Sequence, residues 1–261
     1  MRFGDIAAIA QNTYKENLRD KILYNLVIFG LVMIGGSLLL STLTIGERTK
    51  IIMDVGLASI ELFGTLIAIF VGIGLVSKEL EKRTIYTILC KPVSRSRFIL
   101  GKYLGLVITL FVNVSIMGIG FFLILALIHV VPNFTIVAAV LLIFVQLLIL
   151  TAFALLCSTF TTSTLSAMFT LSIYVIGHLT EDLKNLALRL SDVFSSTFSS
   201  TLLEVVYYVL PNFDYFNIKG EVVHGVSIDP ATVGSILSYG LVYAAVLVAL
   251  SCLIFERRDV K

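Results

Sequence analysis

Residues 78–103 read KELEKRTIYTILCKPVSRSRFILGKY, a strongly charged stretch set between two long apolar runs. Seven of the chain's 19 basic residues fall in this stretch: Lys78, Lys82, Arg83, Lys91, Arg95, Arg97 and Lys102. The contrast with the flanking sequence marks residues 78–103 as a polar connection between two membrane-embedded segments.

The local pattern predicts two helices joined at a proline. Over residues 78–89 a broad apolar face recurs at helical spacing, interrupted by Glu81; its members are Leu80, Ile85, Ile88 and Leu89. Pro92 ends this helix, because the residue before a proline disfavours helical backbone. Ser94 or Ser96 can cap a second helix that continues into the next apolar run. We expect a helical elbow at the membrane surface, although composition alone also allows a basic loop that only fixes topology.

Composition identifies a polytopic membrane protein. Hydrophobic residues make up 58% of the chain, charged residues make up 14%, and the mean hydropathy is +1.01. A soluble core of this length could not use so much apolar surface. A spanning helix needs ~20 mostly apolar residues, and six segments qualify, at about 22–43, 57–76, 104–131, 134–157, 165–179 and 232–255. The fifth is short and carries serine and threonine, so a broken, tilted or re-entrant piece is also open. The predicted fold is all-α, with six transmembrane helices.

Basic residues are divided unevenly between the two sides. The N-terminal segment, residues 78–103, the turn at 158–164 and the C-terminal tail together hold 14 lysines and arginines, and the other loops hold five. The positive-inside rule therefore predicts a multi-pass inner-membrane protein with both termini in the cytoplasm. The first 20 residues lack the apolar run of a secretory signal. The three cysteines, Cys90, Cys157 and Cys252, fall near the predicted cytoplasmic face, where thiols stay reduced, so we expect no disulfide.

Two segments are predicted to lie outside the six spans. Residues 1–21 form an amphipathic helix on the cytoplasmic leaflet, ahead of the transmembrane domain at 22–261; its apolar stripe comprises Phe3, Ile6, Ala7, Ala10, Tyr14 and Leu18. A frayed leader is the alternative. Residues 180–230 form an extracytoplasmic helical platform or gate, or else a solvated loop, although ~50 structureless residues would be unusual.

Motifs for chemistry are absent from the sequence. It contains no P-loop, H-E-x-x-H, G-x-S-x-G or C-x-x-C pattern. We therefore expect a chain that is not itself an enzyme, holds no cofactor and takes its energy from a partner. The histidines, His129, His178 and His224, all fall on the predicted outer side without ligand spacing, so a metal site is not expected.

Glu61 is the acidic residue predicted to lie within a span, about one turn from its outer end. Ionisable groups in membrane segments are costly and often functional, yet this depth would let the side chain reach water. Both a structural or interfacial role and contact with a substrate remain open.

The elbow resembles the E-x-x-T, [IL]-L-x-KPVSR and GK pattern of ABC-2 family permeases of ABC transporters. The matching residues are Glu81, Thr84, Ile88, Leu89, Lys91, Pro92, Val93, Ser94, Arg95, Gly101 and Lys102. Arg83 stands where many relatives have glycine, a departure that leaves the helix intact. The resemblance extends to the six spans, the PNFDYFN segment (211–217) and the FERRD-type end. It implies an ABC-2 exporter-like (type V) fold.

Such permeases work as a dimer carried by two copies of a separate P-loop ATPase that binds ATP and magnesium. The resemblance implies that the elbow is the coupling helix, with these contact residues: Glu79, Glu81, Lys82, Arg83, Thr84, Ile85, Ile88, Leu89, Lys91, Pro92 and Arg95. A minor contact would come from Ser158, Thr161 and Thr162 in the turn at 158–164.

The expected substrate path is the dimer interface, where the second and fifth spans face their mates. Glycines along the second span permit close helix approach, and the candidate residues are Glu61, Gly64, Gly72 and Tyr174. A largely uncharged interior favours export of an amphipathic, lipid-like or polymeric substrate, or force transmission to an extracytoplasmic partner; nucleic acid is not expected. There is weak similarity to copper-processing permeases. A membrane scaffold without transport and a secondary transporter remain open.

Overall fold

The computed structural model describes residues 3–42, 47–81, 94–180 and 210–257. Within these ranges the chain forms eight α-helices, one 3-10 turn and no β-strand. The helices are α1 (Phe3–Leu18), α2 (Lys21–Thr42), α3 (Arg48–Glu81), α4 (Arg95–Leu127), α5 (Phe134–Phe160), α6 (Ser163–His178), α7 (Lys219–His224) and α8 (Pro230–Arg257). The 3-10 turn covers Asp214–Phe216. The all-α class predicted from composition is confirmed.

Five of these helices are long and apolar enough to cross a membrane: α2, α3, α4, α5 and α8. The remaining predicted span, at 165–179, coincides with α6, which has 16 residues. At 1.5 Å per residue α6 is ~24 Å long, shorter than a hydrocarbon core of ~30 Å. In the described residues the structure therefore supports five candidate spans, with one shorter helix in the place of the predicted fifth span.

Helix α3 is much longer than its predicted span. It starts at Arg48, ahead of the predicted start near residue 57, and runs for 34 residues to Glu81. Such a helix is ~51 Å long and passes beyond a bilayer core without a break. It carries the chain directly into residues 82–93, the part of the predicted elbow that lies outside the described residues.

Helix α5 forms the centre of the bundle. It contains no charged residue, and buried side chains lie on all its faces, as expected for a helix that is apolar all round. Helices α3, α4, α6 and α8 pack around it. A Cβ at Gly64 of α3 would lie 2.6 Å from Leu147, and one at Gly72 would lie 2.7 Å from Ala154, so both glycines permit close contact with α5.

Helix α1 packs on the first turns of α4. A Cβ at Gly101 would lie 2.7 Å from the Cβ of Ile9, and one at Gly105 would lie 2.6 Å from the Cβ of Thr13. Spaced four residues apart, the two glycines share one face of α4 and let the helix backbones meet closely. The Asn17 amide also donates to the Thr109 hydroxyl at 3.1 Å.

The buried face of α1 differs from the predicted apolar stripe. Ala10 is buried as part of that stripe, but Thr13 and Asn17 are buried as well. These polar residues face inward because α4 offers two glycines and a hydroxyl at the crossing. The predicted N-terminal helix is present, and its placement on the cytoplasmic leaflet stays a prediction.

Candidate functional site

The exit of the elbow is joined to the last helix. Ser94 occupies the N-cap position of α4 with extended backbone, and its side chain makes no capping hydrogen bond. The Arg95 guanidinium donates to the carbonyls of Phe255 and Glu256, each at 3.4 Å, and the Ser96 hydroxyl donates to the Glu256 carboxylate. Side chains at the start of α4 therefore bind both backbone and side-chain groups at the end of α8, which holds the two helix ends together.

A small apolar cluster lies beneath these polar contacts. It is formed by Phe98 and Ile99 of α4, Leu155 of α5 and Phe255 of α8. The Phe98 and Phe255 rings are stacked, with centroids 6.1 Å apart and an angle of 24° between their planes. We call these four residues the elbow junction; it ties the exit of the elbow to three helices.

Ion pairs attach α1 beside the elbow junction. Arg97 lies 3.5 Å from the Asp5 carboxylate, and Lys102 lies 3.7 Å from that of Glu16. Lys102 is 1% exposed, and its ammonium also lies 5.7 Å from the centre of the Phe98 ring. The basic residues at the start of α4 thus make contacts within the protein.

The structure describes only part of the predicted ATPase-coupling residues. Glu79 and Glu81 belong to the last turn of α3, and Arg95 begins α4. The others, Lys82, Arg83, Thr84, Ile85, Ile88, Leu89, Lys91 and Pro92, lie outside the described residues. The coupling role of the elbow stays a prediction.

The turn that was predicted to make the minor ATPase contact, at residues 158–164, is shorter in the structure. Helix α5 ends at Phe160 and α6 begins at Ser163, so the turn consists of Thr161 and Thr162. Ser158 is fully buried and donates to the Leu155 carbonyl at 2.7 Å. Of the three predicted contact residues, Thr161 and Thr162 reach the surface, and Ser158 is a helix residue.

Glu61 lies in a buried polar cluster inside the bundle. Its Oε1 accepts hydrogen bonds from Gln146 Nε2 at 3.1 Å and the Tyr174 hydroxyl at 3.3 Å, and lies 2.9 Å from His178 Nε2. Its Oε2 accepts from the Lys219 ammonium. The Glu61 side chain is 5% exposed. We call these five residues the Glu61 cluster.

Glu61 lies well inside helix α3. Glu61 lies 13 residues, ~20 Å, from the start of α3 at Arg48, and its partner Gln146 is the thirteenth of 27 residues in α5. The prediction placed Glu61 about one turn from the outer end of a span that starts near residue 57, and helix α3 starts nine residues earlier. The carboxylate is paired within the protein, with no need to reach bulk water.

Residues 210–218 place Lys219 beside Glu61 inside the bundle. The Phe213 N–H donates to the Gly177 carbonyl at 3.0 Å, and the Phe213 side chain is fully buried. Phe216 packs on Gly240, which lies ten residues into α8. The 3-10 turn therefore reaches ~15 Å along α8 from its start. The PNFDYFN segment enters the bundle before the chain turns back through α7.

His178 is held by acceptors at both ring nitrogens. Nδ1 lies 3.0 Å from the Tyr174 carbonyl, and Nε2 lies 2.9 Å from Glu61 Oε1. Nε2 also lies 3.3 Å from Gln146 Nε2. The ring packs against Tyr174 and Phe213, with centroid distances of 4.5 and 5.6 Å. These contacts hold the imidazole beside the Glu61 carboxylate.

The structure unites some predicted residues and separates others. Glu61 and Tyr174 were both candidates for the substrate path, and they contact each other directly. Gly64 and Gly72 instead face α5 of the same chain, so a dimer contact of α3 would have to use its other faces. Gln146 and Lys219 were not predicted, although Gln146 is the one amide side chain in α5, a helix without charged residues.

Metal-binding chemistry finds no support in the described ranges. No group of three or more histidine, cysteine, aspartate or glutamate side chains is placed to hold an ion there. His129 and His224 are exposed and are not part of the Glu61 cluster. The arrangement around Glu61 suits ionic pairing with nitrogen cations better than metal coordination, because its oxygens already face N–H and O–H donors.

Comparison with known proteins identifies the family. The model of the ABC-2 family transporter proteins matches residues 6–260, nearly the whole chain. No curated protein matches the sequence. The five candidate spans fit the membrane domain of such a transporter. The chain therefore belongs to the ABC-2 family and is the membrane-embedded permease subunit of an ABC transporter.

Proposed function

We propose that this permease converts ATP hydrolysis by a separate P-loop ATPase into export of, or outward conformational work on, an amphipathic, lipid-like or polymeric substrate. The observation that carries the proposal is the elbow junction, where Phe98 stacks on Phe255. A coupling helix must deliver its movement to the spans, and here its exit is packed against α5 and α8.

Both ends of the elbow meet stiff elements. On one side α3 continues to Glu81 without a break. On the other, α4 starts at Arg95 and is tied at once to α8 and, through Arg97, to α1. Movement of residues 82–93 by a cytosolic partner would shift whole helices, because these residues lie between α3 and α4, two long helices of the bundle. ATP binding could then bias the bundle between inward-closed and outward-open packings.

The assembly in this proposal is a dimer of permeases with two ATPase copies in the inner membrane. Helix α6 is its fifth membrane segment, and both termini lie in the cytoplasm, in agreement with the excess of basic residues on that side. Exposed apolar side chains on α3, such as Leu62 and Phe70, are available to lipid or to the second copy.

The decisive experiment is purification of the tagged permease in mild detergent, with identification of the proteins that accompany it and an assay of ATP hydrolysis. A P-loop ATPase in near-equal amount supports the proposal. Ile88→Asp should release that ATPase, since the sequence places Ile88 on the apolar face of the elbow helix. Val226→Asp is the matched control, because Val226 is 52% exposed near the start of α8.

An ATPase that stays bound to Ile88→Asp would contradict the assigned contact. A preparation with neither ATPase nor ATP hydrolysis would favour a membrane scaffold. A secondary transporter has one observation in its favour, the ionisable cluster within the bundle. Substrate movement that persists without the ATPase would identify that mechanism.

A further inference from the structure

The two oxygens of Glu61 have different kinds of partner. Oε1 faces three groups from α5 and α6: Gln146, Tyr174 and His178. Among the described residues, Lys219 supplies the donor to Oε2. The long helices thus satisfy one oxygen, and the other depends on an ammonium group from a short segment between α6 and α8.

Lys219 lies on the accessible side of this pair. It is the first residue of α7, a helix of six residues. Its side chain is 21% exposed, compared with 5% for Glu61. A group that reached Glu61 from outside the bundle would therefore arrive at the place that the Lys219 ammonium occupies.

A second acceptor lies beside the carboxylate. Gln146 is 1% exposed, and its Oε1 has no hydrogen-bond partner in the described part of the chain. The Nε2 of the same amide donates to Glu61, so the unpaired Oε1 belongs to the same site. A primary ammonium has three N–H donors, so at Glu61 Oε2 it would keep donors for a second acceptor such as Gln146 Oε1, which the Lys219 ammonium leaves unpaired. A quaternary ammonium has none and could not.

Charge balance also favours a cation in this place. Lys219 brings its ammonium to Glu61 Oε2, while the other partners of the carboxylate contact Oε1. Withdrawal of Lys219 would leave this oxygen without a donor in a buried place, where a charge needs a partner. The rings of Tyr174 and Phe213, 6.2 Å apart, offer an apolar wall next to that charge.

We propose that Glu61, Gln146 and the neighbouring rings form a binding site for the primary ammonium head group of an amphipathic molecule. Lys219 occupies the site in this structure, and the head group takes its place when the Lys219 side chain moves out of the site. The proposal deepens the proposed function and rests on it for the role of this molecule as transport substrate; the binding itself does not depend on an ATPase.

The test is a titration of the purified permease alone, in detergent, with a dansyl fluorophore carried on an alkyl primary amine. Saturable binding should be displaced by dodecylammonium but not by dodecyltrimethylammonium. The N-acetylated probe, which lacks the charge, should not bind. Glu61→Gln should weaken binding at least ~tenfold, because the amide can still accept a hydrogen bond but no longer carries the charge that pairs with the ammonium.

Lys219→Met should have the opposite effect. It removes the resident competitor and should tighten probe binding, by ~tenfold if the free site is populated about a tenth of the time in the natural protein. The double variant Glu61→Gln with Lys219→Met keeps the site neutral and should fold yet bind no probe. Glu47→Gln is the control, since Glu47 is an exposed carboxylate outside the site.

A purely structural ion pair would give a different pattern. No saturable binding to the natural protein, equal losses in both single variants, or undiminished binding by the double variant would overturn the proposal. If either single variant fails to fold, the comparison of the natural protein with the double variant decides. Absence of an ATPase partner would count against the proposed function and leave this titration unaffected.

The same probe identifies the source of the head group. In lipid discs, displacement by phosphatidylethanolamine but not by phosphatidylcholine would assign the site to a membrane lipid. Displacement only by soluble alkylamines would assign it to an amphipath that is not a lipid. Both results support an ammonium site, and a probe displaced by no primary amine would contradict it.

Discussion

The Phe98 ring at the start of α4 lies stacked on the Phe255 ring near the end of α8, with 6.1 Å between their centroids. Both side chains are buried, at 6% and 2% exposure. Phe98 is the first buried residue of α4. The contact therefore joins the beginning of α4 to α8, the last helix of the bundle. Any force that enters through the elbow meets α8 at this point.

Phe98→Ala should uncouple the elbow from the bundle. Loss of a buried phenylalanine costs about 3–5 kcal/mol, here at the elbow junction, while residues 82–93 keep their own sequence. We expect the partner ATPase to remain bound but its activity to become independent of substrate. Co-purification and ATP hydrolysis would be measured in parallel.

Phe111→Ala is the matched control for that change. Phe111 lies on the same helix, is 60% exposed, and meets Phe144 edge to face. Its truncation should leave coupling intact. If both variants behave alike, the elbow junction has no special part in transmission.

Gly105→Val should detach α1 from α4. The new side chain would overlap Thr13 and the Ala10 carbonyl, which lies 2.8 Å from the added Cβ position, and overpacking of this kind costs about 1–3 kcal/mol. Protease cleavage after Lys15 or Arg19 should become faster. Gly35→Val is the control, since nothing lies within 4 Å of its Cβ position; equal cleavage in the two variants would contradict the crossing.

The Glu61–Lys219 pair should show strong coupling in a double-mutant cycle. Removal of one partner of a buried ion pair costs about 3–5 kcal/mol, because the other charge is left without compensation. Lys219→Met and Glu61→Gln should each lower the thermal midpoint in detergent, and the double variant should recover most of the loss.

The exposed pair of Lys50 and Glu47 provides the comparison. These side chains lie 2.6 Å apart with 41% and 58% exposure, and pairs of this kind contribute about 0–1 kcal/mol. Similar coupling energies for the two pairs would show that the Glu61 cluster is solvated and not buried.

Cysteine labelling should establish the orientation. In a variant without the three natural cysteines, Ser227→Cys should react with an impermeant maleimide on intact cells, because Ser227 is exposed on the predicted outer side. Lys15→Cys should react only after permeabilisation. The reverse pattern would overturn the assignment of both termini to the cytoplasm.

The positions of the long helices could be predicted because hydropathy is a local property. Apolar runs at 22–43, 104–131 and 134–157 coincide with α2, α4 and α5. The start of α3 at Arg48 was missed, since residues 48–54 include charges that a hydropathy search excludes. Those charges are compatible with a helix that extends beyond the membrane.

The contacts of the candidate site could not be predicted in the same way. Glu61 meets Gln146, His178 and Lys219 across 85, 117 and 158 positions of sequence, and no periodic pattern links them. The buried polar residues Thr13 and Asn17 were missed for a related reason. Their burial depends on Gly101, Gly105 and Thr109 of α4. A search for an apolar stripe along α1 alone cannot detect these partners.

The crossing of α1 on Gly101 and Gly105 also sets an order for biogenesis. Helix α1 is synthesised first, yet the surface that receives it is provided by α4, which leaves the ribosome about 90 residues later. The face of α1 that carries Thr13 and Asn17 cannot dock until α2 and α3, which precede α4 in the chain, have been inserted. The first helix of the chain is thus completed only by the insertion of a later one, which makes its docking a marker that the first half of the bundle has assembled.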